Sequence, residues 1–184
     1  MKRFYASIAA AALLTAGIAG CGGSSSDSGV LNVGLTDAPA QFEAVYVTID
    51  KVMVHRSDES NESNSTWLTV ADVNGTYDLL KLRDGNVSMI GVANIPAAKY
   101  TQMRLVLSAD SNDSTVHPYG NYVVIDGNAS ELTVPSMVIK ESHNFIMAPD
   151  GNMTMTVDFD ANRSIHVNGN DGWMLKPVLH VDTK

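Results

Sequence analysis

Cysteine is nearly absent: the 184 residues hold one, Cys21. A single thiol closes no disulfide within its own chain and supplies no cysteine-ligated zinc site, so the folded body stands on packing. Basic residues are also scarce, 12 against 20 acidic ones. A surface of that sign repels phosphate backbones, which excludes nucleic acid as a partner. It also gives no electrostatic grip on anionic lipid head groups. The acid is spread along the chain without a block of about five like charges, so there is no acidic tail. Helical periodicity is scarce as well, and that absence carries most of the information about the fold.

The start of the chain has its own character. Lys2-Arg3 precedes Phe4 to Ile18, which is apolar, Ala-rich and uncharged. The stretch is shorter than the about 20 residues of a membrane span but suits the core of a signal peptide. It runs into Ile18-Ala19-Gly20-Cys21, which resembles the lipobox of bacterial lipoproteins: an aliphatic residue, two small ones, then cysteine. Residues 1–21 are therefore expected to be a lipoprotein signal peptide ending at a lipidated Cys21, with the lipid holding the protein to a membrane. Residues 22–29, Gly- and Ser-rich, read as a tether, and residues 30–184 as a single domain. Gly22 after the cysteine favours the outer membrane under the enterobacterial sorting rule. Without Lys2 and Arg3 the chain has ten basic and twenty acidic residues, a net charge of about −10. About 155 residues are enough for a substantial core.

From Val30 onward a period of two dominates. Val45, Val47 and Ile49 alternate with polar residues, then the phase slips and Val52 and Val54 take over, which predicts a bulge near Asp50-Lys51. Thr101, Met103, Leu105 and Leu107 form one face, with Leu105 expected between two sheets. Met153, Met155, Val157 and Phe159 form another. Trp173, Leu175, Leu179 and Val181 are expected on one face of a last strand, with Pro177 at an edge or bulge. Asn74-Gly75, Asp84-Gly85-Asn86, Asp126-Gly127-Asn128, Asp150-Gly151-Asn152 and Asp171-Gly172 supply the positive φ angles of tight turns. Ser57 to Ser65 reads as a polar hairpin tip, and Leu79 to Ile90 as a short helix or irregular crossover. The expected fold is all-β: an antiparallel β-sandwich of eight or nine strands.

Val33-Gly34-Leu35-Thr36-Asp37-Ala38-Pro39, then Phe42-Glu43-Ala44-Val45-Tyr46-Val47-Thr48-Ile49, resembles the opening of domain-of-unknown-function family 4382. The likeness continues through Leu79-Leu80-Lys81-Leu82, Ile95 to Leu105, Val157 to Ile165 and Leu175-Lys176-Pro177-Val178, covering about Leu31 to Val181. The resemblance implies an exported prokaryotic protein, often a lipoprotein, with an immunoglobulin-like or transthyretin-like sandwich. It implies no activity and no catalytic or ligand residues. Ala98 departs from the family's usual Gly in a Pro-Ala-Gly turn, which puts the turn type there in question.

Few residue patterns carry chemistry. Asp158, Asp160 and Asn162 have the opening spacing of a calcium loop, but Arg163 and Gly169 stand where its Gly and Glu belong, which rules out an EF-hand. The expected role of these acids is structural. They sit at a strand end, taking backbone hydrogen bonds or pairing with Arg163 or Arg104, and Asp37, in the separate Val33–Pro39 motif, is given the same structural role. His143, Met147, Met153, Met155 and His166 are the soft-ligand set that a copper(I) site would use, though alternating methionines more often fill a core. The five histidines show neither HxH nor HExxH spacing, and no Gly-x-Ser-x-Gly elbow is present. Eight Asn-x-Ser/Thr sequons accompany a bacterial lipobox and read as chance in an Asn- and Ser-rich surface. No catalytic residue and no cofactor is assigned. The expected function is a non-enzymatic, lipid-anchored binding or assembly module of the cell envelope, with a polysaccharide, peptidoglycan or another envelope protein as ligand. A metal-binding exported domain and an envelope hydrolase are the alternatives.

Overall fold

The computed structural model describes residues 27–57, 66–169 and 172–184. Cys21, most of the hairpin tip and Asp171 lie outside the described residues. β1 (Ser28–Asp37) buries Leu31, Val33 and Leu35 on one face. It begins inside the expected tether, because Ser28 and Gly29 already pair with Pro96 and Ile95. β2 (Ala44–Ser57) buries Val45, Val47 and Ile49, then Val52 and Val54. The phase slip is a bulge: pairing on both edges of β2 shifts between Ile49 and Lys51. The partner strand β3 (Thr66–Asp78) bends there with Asn74 at φ 45°. Asn74-Gly75 thus makes a bulge within a strand and not the expected hairpin turn, since positive φ serves either setting.

A 3-10 helix over Leu79–Leu82 then carries the chain to the other sheet. There follow β4 (Ser88–Pro96), β5 (Ala98–Leu107), β6 (Tyr122–Ile125), β7 (Asn128–Thr133), β8 (Val138–Met147) and β9 (Asn152–Phe159). A short helix α1 (Ala161–Ser164), β10 (Ile165–Val167), β11 (Trp173–Leu175) and β12 (Leu179–Thr183) complete the chain. One sheet has the order β12-β9-β1-β4; the other runs β10-β11-β7-β6-β2-β5-β8, with β3 on the second edge of β2. The protein is an all-β two-sheet sandwich. The described strands number twelve, above the predicted eight or nine, because β6, β10 and β11 are only three or four residues long. Both sheets are mixed: β1 runs parallel to β9, and β7 to β11.

The core lies between the sheets, where Leu31, Val33, Leu35, Val47, Ile49, Met103, Leu105, Met155, Val157 and Phe159 are all fully buried. Tyr100, and not the predicted Thr101, continues the inner face of β5, because the pairing to β8 shifts between Tyr100 and Gln102. Its ring stacks on Phe145 at 4.8 Å and its hydroxyl donates to the Pro96 carbonyl at 2.9 Å, so the buried phenol is satisfied. The corner between β4 and β5 passes through Ala97 with no positive φ at Ala97 or Ala98, so no glycine is required where the family commonly has one. The expected last strand is two strands in different sheets. Trp173 and Leu175 belong to β11, Leu179 and Val181 to β12, and Pro177 sits in the crossing. Both strands point their alternate residues into the same core, so the period continues across the break. Among the described residues no helix is long and apolar enough to cross a membrane.

Candidate functional site

The acids singled out by the sequence converge where β1 and β9 end side by side, with Thr36 opposite Asp158 and Asp37 opposite Phe159. Asp37 is 5% exposed, and its Oδ1 accepts the Ala161 N–H at 3.0 Å. Its Oδ2 is buried without a hydrogen-bond partner, as is Oδ1 of Asp158. Burial pushes the Asp37 carboxyl up to about 7, the charges of Asp158 and Asp160 add to the rise, and the Ala161 N–H and the Arg83 guanidinium oppose it.

Asp160 caps α1, its Oδ1 accepting the Arg163 N–H at 2.9 Å. The Arg163 guanidinium stands 3.9 Å from the other oxygen but is largely exposed, so that pair adds little. Ser164, fully buried, donates its hydroxyl to the Asp160 carbonyl at 2.6 Å and accepts the Val178 N–H at 2.8 Å. These bonds tie the end of β9 to the crossing between β11 and β12.

Arg104 does not join this group. It lies on the other sheet, its guanidinium 3.6 Å from the centre of the Trp67 ring. This cation–π contact faces the ring where a carboxylate had been expected. Asn162 is exposed on α1. Among the described residues no three His, Cys, Asp or Glu side chains gather as a metal would require. The soft-ligand set is likewise dispersed: His143 is on β8 and His166 on β10, at opposite ends of the sheet order. Met147 and Met155 are buried in the core, and His143 Nε2 lies 3.2 Å from the Thr183 hydroxyl.

Sequence reasoning missed a cleft of about 230 Å³ lined by Gln41, Phe42, Glu43, Val124, Ile125, Asp126 and Trp173. Three elements build it. The loop after β1 brings Gln41, Phe42 and Glu43. The two-residue turn between β6 and β7 brings Asp126, at φ 49°, followed by Gly127 at φ 73°, a pair that suits the twist of a tight hairpin. β11 brings Trp173, whose ring meets Phe42 edge to face at 6.0 Å. The Glu43 carboxylate accepts the Gly127 N–H at 3.1 Å and so clamps the loop to the turn. The two rings are half-buried, while Gln41, Glu43 and Asp126 are exposed at the rim. No local motif announces this site, because its two aromatic walls lie at opposite ends of the chain. A second cleft of about 250 Å³, lined by Pro135, Ser136, Leu175, Lys176 and Pro177, offers one charged group and no aromatic ring. Asp37, Asp158 and Asp160 line neither cleft.

Two mixed sheets define a β-sandwich domain whose clefts are built mainly by its connections. The chain belongs to the family described as domain of unknown function DUF4382, whose model matches residues 28–177. Among curated proteins and solved structures there is no significant match.

Proposed function

We propose that this protein is a lipid-anchored envelope module that binds a glycan through the Phe42–Trp173 cleft. The observation that carries the reading is the pairing of two half-buried aromatic rings with a rim of carboxylate and amide oxygens. Aromatic rings cover the apolar C–H face of a sugar, and carboxylates and amides accept its hydroxyls. The volume falls below the roughly 300–1,000 Å³ of drug-sized pockets, so the cleft suits one sugar ring at the end or branch of a polymer. The lipobox-like Ile18-Ala19-Gly20-Cys21 supports anchoring at the envelope, and Gly22 after the cysteine favours its outer membrane.

Isothermal titration of the purified protein with soluble fragments of envelope polysaccharide and peptidoglycan tests the reading. Trp173→Ala is expected to weaken binding about tenfold, the loss of roughly 1.4 kcal/mol of ring contact. Gln41→Ala, at the exposed rim, is expected to weaken it less, and Trp67→Ala, whose ring is occupied by Arg104, to leave it unchanged. Absence of glycan binding by the wild type, or equal binding by the Trp173 variant, overturns the proposal.

A further inference from the structure

Charge is distributed unevenly over the outer face of the four-stranded sheet. The fourteen residues from Gly85 to Ala98, which include all of β4, carry none, and neither does β1 before Asp37. On the far half of the same sheet, β9 and β12 bring Asp158 and Asp182. The uncharged half is also apolar: Val87, Met89 and Val92 are 49%, 53% and 61% exposed. Val92 lies opposite Asn32, and Met89 opposite Gly34. A Cβ on Gly34 would stand 2.5 Å from a Val87 methyl and 3.8 Å from the Met89 sulfur, so both side chains lie across that glycine. The three form a ridge along an edge strand that has none of the charges by which edges are usually protected.

The same half of the sheet receives the start of the described chain. Ser28 pairs with Pro96, and the Asp27 carbonyl accepts the Ala97 N–H at 2.8 Å. From Ser28 to Asn32, level with Val92, is about 13 Å at the rise of a strand. The six peptide links from Cys21 to Asp27 span at most about 22 Å. A lipid on Cys21 therefore brings this face within reach of the membrane.

We propose that the β1–β4 half of this face rests on the lipid surface that holds Cys21, with Val87, Met89 and Val92 at the head-group boundary. The inference rests on the anchoring part of the function proposed above and not on the glycan cleft. An uncharged apolar ridge suits the contact because a chain whose net charge, without Lys2 and Arg3, is about −10 has no electrostatic attraction to anionic lipid.

All strands and the hydrophobic core of the described residues lie between Ser28 and Thr183, so the chain from Cys21 onward carries all of them. That chain, joined through Cys21 to a maleimide phospholipid, is placed in vesicles of phosphatidylcholine with brominated acyl chains. Tryptophan emission is read for Val92→Trp and for Ser142→Trp, an exposed position on β8 in the opposite sheet, after subtracting the wild type. The Val92→Trp signal is expected to shift to the blue and to be quenched at least twofold more than that of Ser142→Trp. In the wild type, peroxide oxidation of Met89 is expected to be at least threefold slower on vesicles than in solution. Equal quenching at the two positions, or an equal rate for Met89, overturns the proposal. So does a blue shift without vesicles that grows with protein concentration, which would assign the ridge to a second copy. Because the lipid is attached chemically, these outcomes concern the face alone. Anchoring in the cell is read separately, by palmitate labelling that Cys21→Ser should abolish.

Discussion

Asp37→Asn is expected to stabilise the protein at pH 8 by about 4 kcal/mol relative to its effect at pH 4, because the shift from 3.8 to about 7 spans roughly three pH units. The unfolded chain releases the Asp37 proton near 3.8, whereas the folded chain keeps it until about 7. Between those values the native state holds the extra proton, so wild-type stability falls as pH rises, and the loss is complete above the folded value. The physical cause is burial of a carboxyl whose Oδ2 has no partner, beside two other acids. Asparagine keeps an oxygen for the Ala161 N–H and carries no charge at either pH, so the variant should lack this slope. Denaturant unfolding of both proteins from pH 4 to pH 8 gives the difference directly. A difference that stays flat across this range would mean that Asp37 is ionised in the folded protein at all of them.

The Asp37 cluster also shows how far the sequence can be read. Asp37, Asp158 and Asp160 were legible as strand-end acids because each directly follows or interrupts an alternating apolar run. Their mutual approach was not legible, since it depends on the parallel pairing of β1 with β9. Parallel pairs join strands far apart in sequence and leave no local turn signal. Arg104 was misplaced for the same reason: a charge of the right sign was visible, but its sheet was not. Where the pattern is local, the reading was close. The slip after Ile49 located the bulge at Lys51, and Asp126-Gly127 located a hairpin turn. Where two structures share one pattern it failed. The alternation from Trp173 to Val181 spans two strands of different sheets, and positive φ at Asn74 serves a bulge. The cleft depends on Phe42 and Trp173 meeting through tertiary packing alone.

Asn121→Ala is expected to cost about 2–5 kcal/mol, a large effect for an asparagine in a connection, because two hydrogen-bonding groups lose their partner at once. β5 ends with Leu107 opposite Ile49, and β6 resumes with Tyr122 opposite Tyr46, on the same edge of β2. The chain between them leaves the sheet, which would strand the backbone of Thr48 in the middle of β2. The Asn121 side chain closes the gap as a peptide group would. Its Oδ1 accepts the Thr48 N–H at 3.1 Å, and its Nδ2 donates to the Ser108 carbonyl at 2.7 Å. The Ser108 N–H in turn donates to the Thr48 carbonyl at 2.8 Å. Thr48 and Asn121 are 2% and 4% exposed, so water does not readily replace a lost partner. The returning excursion is fixed from outside by His117, whose Nδ1 lies 3.1 Å from the Tyr122 hydroxyl, and by the stack of Tyr46 on Tyr122 at 4.5 Å. Asn121→Asp separates the amide's two roles. It keeps the acceptor for Thr48 but turns a second oxygen toward the Ser108 carbonyl, so it should be at least as destabilising at neutral pH and recover partly when protonated in acid. Equilibrium unfolding gives the cost, and hydrogen exchange at the Thr48 amide identifies its source, because that amide alone should lose protection beyond the global change. A cost below about 0.5 kcal/mol, the scale of surface substitutions, with unchanged exchange at Thr48, would show that the amide does not bridge the two strands.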